Sequence, residues 1–139
     1  MDKIYLVAGK DQTNLTLSIN NLTNSNGDII PPEAMEIFYG YRMPEARRYT
    51  YPAEDAMIVT RFLLPADTIS IPEGEFREIF VRCHLPEDQT PGIYSGQLNI
   101  SGDSTEQSID IQIEVLPFQL DMPKDKFWGM YYEEFAKNR

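Results

Sequence analysis

Residues 85–118 read LPEDQTPGIYSGQLNISGDSTEQSIDIQIEVLPF, and the run near their end decides the fold. Ile109, Ile111, Ile113 and Val115 alternate with Asp110, Gln112 and Glu114. A period of two puts one set on a buried face and the other in water, the pattern of an antiparallel strand. Ahead of it, Thr90-Pro91-Gly92 makes a turn, in which Pro91 fixes φ and Gly92 permits the entry into the next strand. Tyr94, Leu98 and Ile100 supply the inward face of that strand, and Gly96 leaves room where strands or loops approach closely.

Working back from this pair, the same grammar recurs. Residues 76–85 carry Ile79, Val81, Cys83 and Leu85 on one parity and Glu78, Phe80, Arg82 and His84 on the other, which predicts a half-buried strand. A short strand at 68–71 is closed by Pro72-Glu73-Gly74, and residues 57–64 form another that ends at Pro65. Residues 35–43 read as an aromatic strand with Phe38, Tyr39 and Tyr41, followed by a polar loop over 44–55. Residues 14–19 alternate cleanly, with Leu15, Leu17 and Ile19 inward, and residues 4–7 open the series. Asn24-Ser25-Asn26-Gly27-Asp28 marks a turn, and Pro31-Pro32 excludes a central strand. Seven to eight strands with Gly and Pro turns, and no capped amphipathic helix before residue 124, predict an all-β antiparallel sandwich of the Ig-like or fibronectin-like kind.

Composition sets the outer limits. At 139 residues with 42% apolar content, the chain is one domain able to bury a core unaided. Twelve basic against 22 acidic side chains give a net charge of −10, which argues against a nucleic-acid partner, since phosphate binding needs clustered cations. The one basic doublet, Arg47-Arg48, is flanked by acids. No apolar run reaches the roughly 20 residues that cross a bilayer as a helix, and no signal peptide is visible at the N-terminus. Cys83 is the single cysteine, at an inward parity, and reads as a buried inert thiol.

After Pro117 the pattern changes. Phe118, Leu120, Met122 and Pro123 form an apolar connector, and Phe127-Trp128-Gly129-Met130-Tyr131-Tyr132 is too aromatic for a free tail. Its spacing fits a strand or a short helix face. The reading is a sandwich over 1–117, with 118–139 as connector and first element of a further domain.

Residues 61–101, RFLLPADTISIPEGEFREIFVRCHLPEDQTPGIYSGQLNIS, resemble the β-sandwich that precedes the (β/α) barrel in glycoside hydrolase family 123 and related hydrolase-like proteins. The resemblance rests on a strand ending in Leu85-Pro86, then Pro91-Gly92-Ile93-Tyr94-Ser95-Gly96. The exit Val115-Leu116-Pro117-Phe118-Gln119-Leu120 and the aromatic Trp128-Gly129-Met130-Tyr131-Tyr132 extend it. It covers about half of the chain, and residues 1–60 agree only in general character. It implies a whole protein that processes carbohydrate, secreted or periplasmic, with its catalytic acids in the barrel beyond residue 139. This piece is then a non-catalytic accessory domain without cofactor or metal. Tyr94 in such a motif points inward and needs a backbone partner for its hydroxyl, like the tyrosine corner of Ig-type sandwiches.

The remaining candidates have structural readings beside their functional ones. Glu133 and Glu134 are adjacent, so they cannot alone flank a glycosidic bond. His84 is the only histidine and has no partner set for a metal; no phosphate loop or nucleophile elbow is present. The sequons at Asn14, Asn21 and Asn99 are patterns short enough to arise by chance.

Tyr39, Tyr41, Tyr49 and Tyr51, with Arg42, Arg47 and Arg48 nearby, suit a carbohydrate platform, an interdomain face or core filling. Glycan binding would engage Tyr39, Tyr41, Arg42, Arg47, Tyr49 and Tyr51. The buttress reading instead makes Phe118, Leu120, Phe127, Trp128 and Tyr131 the contact with a partner barrel, at roughly 1.5–3 kcal/mol for each large side chain buried. An Ig-like spacer or adhesion domain is the third reading.

Overall fold

The computed structural model describes residues 3–45, 57–66, 68–102 and 105–118. Ten strands lie within them: β1 (Ile4–Val7), β2 (Gln12–Ile19), β3 (Leu22–Thr23), β4 (Ile29–Ile30), β5 (Met35–Glu45), β6 (Met57–Pro65), β7 (Thr68–Ile71), β8 (Phe76–Cys83), β9 (Gly92–Gly102) and β10 (Thr105–Val115). A single 3₁₀ turn, Pro32–Ala34, leads into β5. Two antiparallel sheets result. The first has the order β1-β8-β5-β6. In the second, β10 pairs the whole of β9, whose other side pairs β2 and then β3; β7 and β4 lie beyond these two.

The apolar parities meet between the sheets. Leu15, Leu17, Ile19, Leu22, Ile30, Ile69, Ile71, Tyr94, Leu98, Ile100 and Val115 of the second sheet face Met35 and Ile79 of the first, with Ile37, Tyr39, Val81 and Cys83 packed against them. Fully burying an aliphatic side chain of this size contributes about 1.5–3 kcal/mol, so this shared layer is the main stabilising contribution.

Ile19 and Leu22 are both buried although they are three positions apart. A regular strand would send them to opposite faces, so the chain must bend between β2 and β3 at Asn20-Asn21. The Asn20 amide donates to the Gln97 carbonyl at 3.2 Å as the bend passes over β9. Gly96 lies under it: a Cβ there would stand 2.8 Å from the Asn21 carbonyl oxygen and in collision with Leu22 Cδ2. The room expected at this glycine is therefore room for a specific backbone.

Tyr94 is 0% exposed. Its hydroxyl donates to the Thr90 carbonyl at 2.8 Å and accepts from Gln89 Nε2 at 2.7 Å. This ties the turn before β9 to the core.

The sequence reading and the structure differ in several places, among them β5, which runs on to Glu45 into the expected loop. Ten strands replace seven to eight, since β3 and β4 have two residues each, too short for any periodicity to register. Strand β8 ends at Cys83 rather than Leu85, because its partner β5 begins only at Met35, after the 3₁₀ turn Pro32–Ala34. Glu78 and Phe80, assigned to the wet face, are each only 7% exposed. The outer face of β8 is flanked by β1 and β5, and long side chains from both sides cover it.

Candidate functional site

Strand β5 pairs β8 from Met35↔Cys83 to Tyr39↔Ile79, then continues with β6 alone. The β5–β6 ribbon thus peels away from β8 and leaves a notch of about 620 Å³, within the usual range for a ligand site. It is lined by Tyr39, Tyr41 and Arg42 of β5, by Glu75, Phe76 and Arg77 at the start of β8, and by Thr68 and Ser70 of β7. The Arg42 guanidinium sits 4.3 Å over the Phe76 ring, and Arg77 donates to Glu75 at 3.0 Å and to the Phe76 carbonyl at 3.0 Å. Stacked and paired, both guanidinium groups are held in place with donors on planar forks. Together with the hydroxyls and two tyrosine rings, they can hold a neutral, hydroxyl-rich ligand.

Three of the sequence candidates converge here. Tyr39 is half-buried against the core and Tyr41 is 47% exposed; both lie on the core-side face of β5, and Arg42 on the opposite one. Arg47, Tyr49 and Tyr51 lie outside the described residues, as do Leu120, Phe127, Trp128 and Tyr131. Phe118 follows β10 and is 60% exposed. His84 is exposed, with Nε2 2.9 Å from Glu36, whose carboxyl it holds below the usual range together with Arg82. Cys83 is half-buried, and burial pushes its thiol up. Among the described residues no group of three or more His, Cys, Asp or Glu could hold a metal, and no helix is long and apolar enough to cross a membrane.

Sequence reasoning missed Arg77, Thr68 and Ser70, and also the acid behind them. Glu78 accepts hydrogen bonds from Lys3 Nζ at 3.1 Å and from Thr60 Oγ1. Gly40 makes this possible, since a Cβ there would lie 2.8 Å from Thr60 Cγ2 and 3.1 Å from Glu78 Oε2. The signal was present in Phe76-Arg77-Glu78-Ile79-Phe80-Val81, where consecutive apolar residues on both parities imply cover on both faces.

The Thr60 hydroxyl, then Lys3, hold the Glu78 carboxyl below its ordinary value. A carboxyl lowered on folding stabilises the fold above its unfolded value near 4.3, and that stability is lost as pH falls through the folded value. Glu78→Gln is therefore expected to cost about 1 kcal/mol at pH 7 and progressively less toward pH 3, as measured by urea unfolding at the two pH values.

The model of the glycoside hydrolase 123 N-terminal domain matches residues 1–102. The chain belongs to that family. A family 123 glycoside hydrolase from Clostridium perfringens, described by its structure for glycolipid glycan hydrolysis, has a similar fold, with a TM-score of 0.67 at 19% identity over 83% of this chain. The chain spans 21% of the length of that enzyme's chain. No curated protein matches it.

Proposed function

We propose that this member of the glycoside hydrolase 123 N-terminal family is a non-catalytic accessory domain that buttresses a downstream catalytic barrel outside the cytoplasm. The family match carries the reading. The surface supports it: Leu116 and Phe118 stand exposed just where the chain leaves β10, beside exposed Ile93 at the start of β9. An apolar patch at the mouth of a connector suits a following domain.

The test is removal of residues 1–117 from the longer enzyme. The shortened enzyme is expected to lose soluble expression or to melt at least about 5 °C lower. A catalytic domain that keeps its melting temperature and turnover without the sandwich would defeat the proposal.

The notch favours a second reading, a carbohydrate-binding module, since Tyr39, Tyr41 and Arg42 meet there with Arg77 and two hydroxyls. The similar Clostridium enzyme acts on glycolipid glycans, so these belong in the panel. In an amide NMR titration, saturable shifts on residues 39–42 and 68–77 are the result this reading expects, and a spectrum unmoved across the panel rejects it.

A further inference from the structure

Among the described residues, the exposed large apolar side chains other than Tyr5 and Val7 of β1 fall into two groups. Ile29, Leu85, Ile93, Leu116 and Phe118 surround the pole where β10 ends. Tyr41, Met43, Met57, Ile58, Phe62 and Leu64 all lie on the β5–β6 ribbon at the other pole.

The register gathers most of the second group onto one face. Tyr39 opposes Leu64 and Tyr41 opposes Phe62; Arg61 is then an extra residue, after which Met43 opposes Val59 and Glu45 opposes Met57. The bulge keeps the parity aligned on both sides of it. Tyr41, Met43, Met57, Phe62 and Leu64 therefore share the face that continues the inner face of the first sheet, beyond the end of the second sheet. Arg61 and Glu45 bridge across it at 2.7 Å and are both exposed.

We propose that this overhanging face is a dimer interface, and that its occupant is the same face of a second copy, packed across a two-fold axis. Three observations select that occupant. The face complements itself: its one cation and one anion can exchange partners, Arg61 of each copy meeting Glu45 of the other, as an isologous contact requires. By their exposures the five apolar side chains with the stems of that ion pair present about 500 Å² per copy, so the pair of faces would bury on the order of 1,000 Å², at the lower limit for a specific interface. Finally, Phe118 and the end of β10 lie at the opposite pole from Met43 and Met57, roughly 25 Å away along β5. The chain carries a net charge of −10, whereas the described ribbon residues carry Arg42 and Arg61 against Glu45 alone.

Light scattering on the 139-residue chain tests this. At about 100 µM, where a contact of this size with a micromolar Kd is occupied, the expected mass is twice the 16.0 kDa protomer, falling on dilution. Phe62→Asp, a change at an exposed position, is expected to give a folded monomer. Glu45→Arg and Arg61→Glu are each expected to be monomeric alone, and their equimolar mixture to recover the dimer. In the mixture both intermolecular pairs are restored while each intramolecular pair stays broken. A wild-type monomer at this concentration overturns the proposal, as does a dimer indifferent to Phe62→Asp. So does a longer enzyme that is monomeric yet shields Phe62 from labelling after substitution by cysteine, since the ribbon's occupant is then another domain of the same chain.

Discussion

A Gly96→Val variant is expected not to yield folded protein under conditions where the wild type does. The added Cβ would press on the Asn21 carbonyl oxygen at 2.8 Å and on the Leu22 side chain, which is fully buried and cannot swing aside. Overpacking commonly costs 1–3 kcal/mol, and more where backbone must move; here the backbone is the β2–β3 bend that keeps both Ile19 and Leu22 in the core. A loss above about 3 kcal/mol is a large part of the 5–15 kcal/mol typical of a domain. The matched control is Gly9→Ala, where a Cβ meets nothing within 4 Å. Circular dichroism melts of the pair decide the point: Gly9→Ala melts with the wild type, and a Gly96→Val that does likewise shows that the bend can yield.

Tyr94→Ala is expected to cost about 3–5 kcal/mol, the range for removing a buried aromatic. Tyr94→Phe separates the two contributions. It keeps the ring among the core side chains but removes the donor to Thr90 and the acceptor for Gln89, and should cost about 1–2 kcal/mol. For a domain of this size that is a fall in Tm of roughly 3–10 °C. If Phe proves as costly as Ala, the hydroxyl bonds hold the turn before β9 more than the ring fills the core. Equal stability of Phe and wild type would leave the hydroxyl without a structural role.

The parts of this fold legible in the sequence are those fixed by local pattern. β1 and β7 begin and end where the reading put them, and β9 and β10 carry their parity and the inward Tyr94 as expected. What was illegible depends on partners remote in the chain. Glu78 looked wet because nothing beside it in sequence shows Lys3 and Thr60 closing over it. The same holds for the notch. Tyr39, Tyr41 and Arg42 are a local cluster and could be seen, but Arg77, Thr68 and Ser70 reach them only through the register of β5 on β8 and the turn from β7. The strands β3 and β4 escaped because two residues cannot show a period.

The bend at Asn20-Asn21 also governs how the second sheet meets other chains in solution. It separates β2 from β3, and the border beyond them is made by two short strands from different parts of the chain, β7 of four residues on β2 and β4 of two on β3. Neither offers a continuous ladder of free amides and carbonyls on which a foreign strand could grow. The opposite border is β10, eleven residues long, and its solvent side presents Glu106, Asp110 and Glu114 in alternation. A second β10 laid against it would bring rows of carboxylates together. One border resists templated pairing by interruption and the other by repulsion, on either side of a β9 whose inner face carries Tyr94, Leu98 and Ile100.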